Sequence, residues 1–334
     1  MLANRKNSIL LIIVFVCTLL IRYQQYYIYR EFNSDKARQL HGSYNLLKNK
    51  GISIESYDLN TFKPLYRYVS DWPPAYSYFT AGISFVSGVD LYLASIILDL
   101  LSTTALWFIL VWIMGLLQFT FVQQLLLLLF LSISKTVLTQ FLSADLFGLT
   151  LFLLSSALCI KYVQQRERNR KHDLIFYGFQ LLIFIVLVFL KFSLIPAAAA
   201  PALSILLYAF VTSNKSYIKP GIILFLLFII SMSLLFLYKE GISGDSVTYQ
   251  RVMTSSVLHY DNLLLFNPFV ASTFFYLAPL YLRFNNDLLN VVAIVITLLT
   301  LIVFLIYFFN NIQQKLVDYL DILLLTTLIT VSGF

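Results

Sequence analysis

Four side chains carry most of the chemistry this sequence can offer: Asp35, Arg38, Asp145 and Lys191. Asp35 opens an amphipathic segment just after the first apolar run, and Arg38 follows one helical turn later on the same side. A carboxylate there can take a proton from an acceptor or hold a metal near it, and a guanidinium can grip a phosphate. The plainer alternative is an acid favoured by the helix dipole, with Arg38 solvated. Asp145 falls in Phe141-Leu142-Ser143-Ala144-Asp145-Leu146-Phe147, where an apolar run begins. An acid at such a boundary costs free energy, and it marks either function or a helix cap beside Ser143. Lys191 interrupts the apolar run between Leu187 and Phe192 and faces either a lipid headgroup or a bound phosphate. Asp99 lies inside the second apolar run, where an acid points either to function or to a hydrogen bond near Ser102, Thr103 and Thr104. Trp72, Tyr76 and His41 share the polar loop with Asp35 and are the expected lining of a substrate cavity; as a lone residue, His41 reads as a surface histidine before it reads as a ligand.

These residues have to be positioned by a membrane-embedded frame. The 334 residues are 60% hydrophobic and 12% charged, against roughly 25% charged in soluble domains, and the mean hydropathy is +0.82. Apolar runs such as 125–131 and 222–230 do not alternate, so the expected class is an all-α bundle of transmembrane helices and not a β-barrel. The net charge of +7 comes from cations in loops between spans. It reads as an orientation signal and not as a nucleic-acid surface. Cys17 and Cys159 fall in apolar runs and form no zinc or disulfide pattern. No Walker loop, dinucleotide fingerprint or nucleophile elbow is present, so no nucleotide cofactor is expected.

In order, the chain reads as one membrane-embedded domain over 1–334. An uncleaved anchor covers 8–21, a polar loop 22–88 and a helical bundle 89–334. Arg5 and Lys6 place the N-terminus in the cytoplasm and the loop outside. Ser34 caps an amphipathic helix that Gly51 stops, 52–71 read as irregular, and Pro73-Pro74 open a short interfacial helix over 75–86. Spans follow at about 89–114, 119–134, 144–162, 174–190, 194–211 and 220–238. Parity then puts Lys161, Arg166, Arg168, Arg170 and Lys171, and also Lys215 and Lys219, on the cytoplasmic side. It puts Asp35 and Asp145 together on the outer side. The segment 263–282 is either a span or a surface segment, 287–309 is a span, and 320–332 is short for one, as in the front part of a longer chain.

The order of these features resembles the polytopic GT-C glycosyltransferases. They are the anchor, the loop acid with Arg38, the run Trp72-Pro73-Pro74-Ala75-Tyr76, a short helix to Ser87-Gly88, and the acid in Ser143-Ala144-Asp145-Leu146-Phe147. The bacterial members similar to dolichyl-phosphate-mannose protein mannosyltransferases and aminoarabinose lipid A transferases come nearest. The resemblance covers about residues 8–210. It implies a polyprenyl-phosphate sugar donor and transfer to a lipid, glycan or protein on the extracytoplasmic face of a bacterial cytoplasmic membrane. It maps the catalytic acids to Asp35 and Asp145 and the phosphate-gripping cations to Arg38 and Lys191. Metal dependence stays open: a divalent ion would sit on Asp35 and Asp145, yet Lys36 stands where many members carry a second acid, and Ser143 where some carry the first of a pair. Two other readings compete. One is a transporter or flippase of an amphipathic lipid, centred on Asp99 near the midplane. The other is a non-catalytic subunit in envelope assembly.

Overall fold

The computed structural model describes residues 5–28, 34–57, 64–68, 73–133, 144–165, 169–191, 194–242, 306–307, 310 and 318–332. Among the described residues, the chain forms ten α-helices and one pair of β-strands. Helix α1 is Arg5–Ile28, α2 Ser34–Leu47, α3 Ala75–Ser87, α4 Leu91–Leu116 and α5 Phe121–Ile133. Helix α6 is Ala144–Gln164, α7 Arg170–Leu190, α8 Ile195–Val211, α9 Ile218–Ile242 and α10 Tyr319–Ser332. The class is an all-α helical bundle. Among the described residues, five segments are long and apolar enough to cross a membrane: Asn7–Gln24 in α1, α4, α6, α7, and Lys215–Tyr238 through most of α9. The protein is therefore an integral membrane protein.

The first loop forms a platform on one end of the bundle. Helix α2 packs on α3, and α3 packs on α4 and α7. The α2–α3 seam is polar. Ser77 Oγ donates to the Gln39 carbonyl at 2.8 Å, and the Ser43 and Thr80 hydroxyls share a hydrogen bond of 2.8 Å. Gly42 makes the approach possible, since a Cβ there would stand 2.9 Å from Ile52 Cγ2 and 3.2 Å from Ser77 Oγ. Pro74 precedes the first residue of α3, where its fixed φ suits helix entry. Gly88 ends α3 in the left-handed conformation at φ 71°, with its N–H bonded to the Ser84 carbonyl. Two residues later, Asp90 caps α4 by accepting from Leu93 N at 2.8 Å.

Three local expectations are corrected. Residues 52–71 are not irregular throughout: β1 (Ser53–Tyr57) and β2 (Pro64–Tyr68) pair antiparallel, with Ser53 opposite Tyr68 and Tyr57 opposite Pro64. Helix α2 stops at Leu47 and not at Gly51, because Asn49 already takes the left-handed conformation at φ 58°. The anchor helix runs past residue 21 to Ile28, so the polar loop begins later than position 22. The helices α4, α6, α7, α8 and α9 follow the expected spans closely. Helix α5 has 13 residues in the described chain, fewer than a span needs. The segment 263–282, and 287–309 apart from 306–307, lie outside the described residues.

In the bundle, α4 packs on α6, α7 on α9, and α8 on α9 and α10. Its main core gathers Phe184, Leu187 and Val188 of α7, Ala198, Ala202 and Ile205 of α8, and Leu224 and Leu235 of α9. A buried polar knot ties α6 to α7: Ser155 Oγ donates to Gln180 Oε1 at 2.6 Å, and Gln180 Nε2 donates to the Ser155 carbonyl at 3.1 Å.

Candidate functional site

The platform end of the bundle is held around one buried apolar cluster of Ala75, Tyr76, Leu98, Ala144 and Leu190, drawn from α3, α4, α6 and α7. Each bundle residue in that cluster has a charged neighbour in sequence: Asp99 follows Leu98, Asp145 follows Ala144, and Lys191 follows Leu190. The cluster thus sets three ionisable residues at one end of the molecule, beside the first turn of α2. With Lys36 of α2 they form two ion pairs of different character.

The first pair is Lys191 with Asp145. The ammonium lies 2.9 Å from Asp145 Oδ1 and 3.1 Å from Oδ2. Local sequence explains each partner. Asp145 stands in the first turn of α6, where the helix dipole favours an anion, and Lys191 caps the C-terminus of α7, where it favours a cation. Consecutive antiparallel helices then bring the two together. The pair is open to solvent, with side-chain exposures of 22% for Lys191 and 29% for Asp145.

The second pair is Lys36 with Asp99, at 3.5 Å, with exposures of 2% and 0%. It joins the platform to the membrane-spanning bundle. Arg22 of α1, 1% exposed, lies close enough for its charge to act on Lys36. Burial pushes the Lys36 ammonium below the usual lysine pKa; the Asp99 carboxylate pulls it back up, and Arg22 adds a smaller push down. Sequence reasoning passed over Lys36 except as a departure from a family pattern. A signal was available in the helical period: Lys36, Gln39, Leu40 and Ser43 follow i, i+3, i+4, i+7 and are all buried.

The expected residues fall as follows. Asp35 belongs to the first turn of α2, but its side chain lies outside the described residues, as do Trp72 and the segment 69–72. The separation of the Asp35 and Asp145 carboxylates therefore lies outside them too. Arg38 is exposed, on the face of α2 that also exposes Ala37 and Tyr44. It does not point with Lys36 into the bundle. Lys191 holds Asp145 through both carboxylate oxygens. Tyr76 is completely buried within the apolar cluster. Its aromatic ring supports the site and does not line an open cavity. His41 is half-buried, and its Nε2 accepts from Glu55 N at 3.5 Å, which seats it against the strand pair. Asp99 takes the Lys36 ion pair; the Thr103 hydroxyl bonds the Asp99 backbone carbonyl and not its carboxylate. Among the described residues no three His, Cys, Asp or Glu side chains come together as a metal set, and Asp145 is committed to Lys191.

The opposite end of the bundle carries exposed Lys161, Arg170, Lys171, Lys215 and Lys219. Tyr217 Oη donates to the Val163 carbonyl at 2.9 Å, which holds the 215–219 segment against the end of α6. The Lys161 ammonium lies 5.7 Å from the Trp112 ring centroid.

No family model matches the chain, and neither a curated protein nor a solved structure is significantly similar to it.

Proposed function

We propose that the protein is a membrane glycosyltransferase that moves a sugar from a polyprenyl-phosphate donor to a lipid, glycan or protein acceptor at the platform end of the bundle. One observation carries the reading. Around a single buried cluster, the fold gathers the first turn of α2, which bears Asp35, and the open Asp145–Lys191 pair. An open acid–cation pair at one end of a bundle of long apolar helices supports the reading, because a lipid-linked anionic donor needs both.

The reaction is a displacement at the anomeric carbon. An acceptor hydroxyl oxygen forms the new bond to that carbon, and its proton passes to the Asp35 carboxylate. The bond from the anomeric carbon to the phosphate oxygen breaks, and the polyprenyl phosphate leaves with the electron pair. Lys191 stabilises the phosphate, whose charge grows as the bond breaks. The donor's tail lies along the lipid-facing helices.

The cationic end of the bundle supports a cytoplasmic N-terminus and an extracytoplasmic site, since lysines and arginines are retained on the inner side. The enclosure in the bacterial cytoplasmic membrane belongs to the same proposal. The position of Asp99 supports this reading over the transporter alternative. Asp99 is the ninth residue of a 26-residue helix, about 12 Å along a rod about 39 Å long. It sits toward the platform end of that helix, and it is paired with Lys36.

The test is transfer of labelled sugar from a polyprenyl-phosphate donor in membranes carrying each variant. Asp35→Asn keeps the size of the side chain and removes the base, and turnover should fall by about 10²–10⁴-fold. Transfer at the wild-type rate by Asp35→Asn would remove Asp35 from the mechanism. Absence of transfer by the wild-type protein from any polyprenyl-phosphate sugar would remove the reading as a whole.

A further inference from the structure

The two ion pairs at the platform end differ in the property that decides whether a ligand can compete. Lys36–Asp99 is closed to solvent, and an incoming anion would have to open the α2–α4 contact to reach it. Lys191–Asp145 is reached from outside on both partners, with exposures of 22% and 29%. Its lysine engages both carboxylate oxygens, at 2.9 and 3.1 Å. Two oxygens of one anion against a single ammonium is also the arrangement a phosphate presents. The anion sits at the N-terminus of a 21-residue helix, whose dipole favours negative charge of any chemistry at that point.

We propose that Asp145 and Lys191 form a self-occupied phosphate site. The Asp145 carboxylate holds the place on Lys191 that the phosphate of a polyprenyl-linked donor takes, and donor binding displaces it. The role of this site in catalysis rests on the glycosyltransferase reading; the exchange of anions does not. The consequence is a coupling between binding and chemistry. In the empty protein each charge neutralises the other. With phosphate bound, Lys191 stays neutralised and Asp145 becomes available to orient the acceptor.

The experiment measures binding to purified full-length protein in detergent, with undecaprenyl phosphate and inorganic phosphate as separate probes and no sugar attached. Asp145→Asn removes the competing charge and keeps the side-chain volume. Its affinity for undecaprenyl phosphate should rise about tenfold over wild type, a factor equal to about 1.4 kcal/mol. Lys191→Met should lose binding in both backgrounds. Should the asparagine variant fail to fold, Asp145→Ser makes the same comparison. Affinity in Asp145→Asn that is equal to or weaker than wild type overturns the proposal, and so does a gain seen with inorganic phosphate alone. Sugar transfer is scored separately. Wild-type transfer without the affinity gain leaves the enzyme reading standing and sinks the exchange. The gain without wild-type transfer keeps the exchange and sinks the enzyme reading.

Discussion

Replacing Asp99 by Asn is the sharpest perturbation of the platform, because it removes one charge of a closed pair and leaves the other in place. Lys36 is 2% exposed, so water does not take over the role of the carboxylate. Breaking a buried pair by removing one partner costs about 3–5 kcal/mol. A second estimate bounds the same quantity. A lysine deprived of its counter-charge can escape by losing its proton, and at pH 7 this costs about 1.36 kcal/mol for each unit below about 10.4, or about 4.6 kcal/mol. The two figures agree. The loss should therefore lower the apparent unfolding midpoint in detergent by about 10 °C, taking about 2–4 °C per kcal/mol. The effect also has a sign in pH. Burial already holds the Lys36 pKa below its usual value, and losing Asp99 lowers it further. Between the folded and the unfolded pKa, the unfolded state binds more protons, so stability rises with pH. The deficit of Asp99→Asn should then shrink as pH is raised from 7 toward 10, and the wild type should show a smaller rise of the same sign. Replacing both partners, Lys36→Met with Asp99→Leu, should restore most of the loss, because well-packed apolar groups match or exceed a buried pair. The assay is thermal unfolding followed by intrinsic fluorescence at several pH values. An unchanged midpoint in Asp99→Asn, or a deficit that is the same at pH 7 and pH 9.5, would refute the argument.

Other outcomes follow from single contacts. Gly221→Ala should destabilise more than Gly148→Ala: the new Cβ at 221 would stand 2.7 Å from Leu206 Cα and 2.8 Å from Leu206 N, which are backbone atoms. At 148 it meets only the Leu194 side chain, which can turn aside. Thermal midpoints should show about 1–3 kcal/mol for the first and less for the second. Ser155→Ala removes the donor to Gln180 Oε1 and should cost about 1 kcal/mol, the scale of hydrogen bonds between membrane helices, read from the same unfolding curves. Arg38→Ala changes an exposed side chain, and its midpoint should lie within about 0.5 kcal/mol of wild type. A larger loss would show that Arg38 is packed.

The helices themselves were legible in the chain. A run of about twenty apolar residues needs no partner to be recognised, since every backbone group in lipid has to be bonded within its own helix. Caps are equally local: Pro74 before α3 and Gly88 behind it act on atoms within four residues. The end of α2 and the β1–β2 pair were less legible. Asn49 competes with Gly51 for the left-handed position, and each strand depends on a partner several residues away. Only the tertiary structure decided which charges meet. Lys191 reaches an acid 46 residues away, and Lys36 reaches Asp99 across the platform. The physical reason lies in the solvent. In water the apolar stripe of α2 fixes its rotation, and the same period that buries Leu40 buries Lys36. In lipid a leucine is equally at home against a neighbour or a hydrocarbon tail, so the pattern of a span such as α4 or α6 does not say which side faces inward. The rotation of those helices, and with it the partners of Asp99 and Asp145, is set by small residues such as Ala144 and Gly148 meeting Leu190 and Leu194. That packing exists only once the helices are assembled.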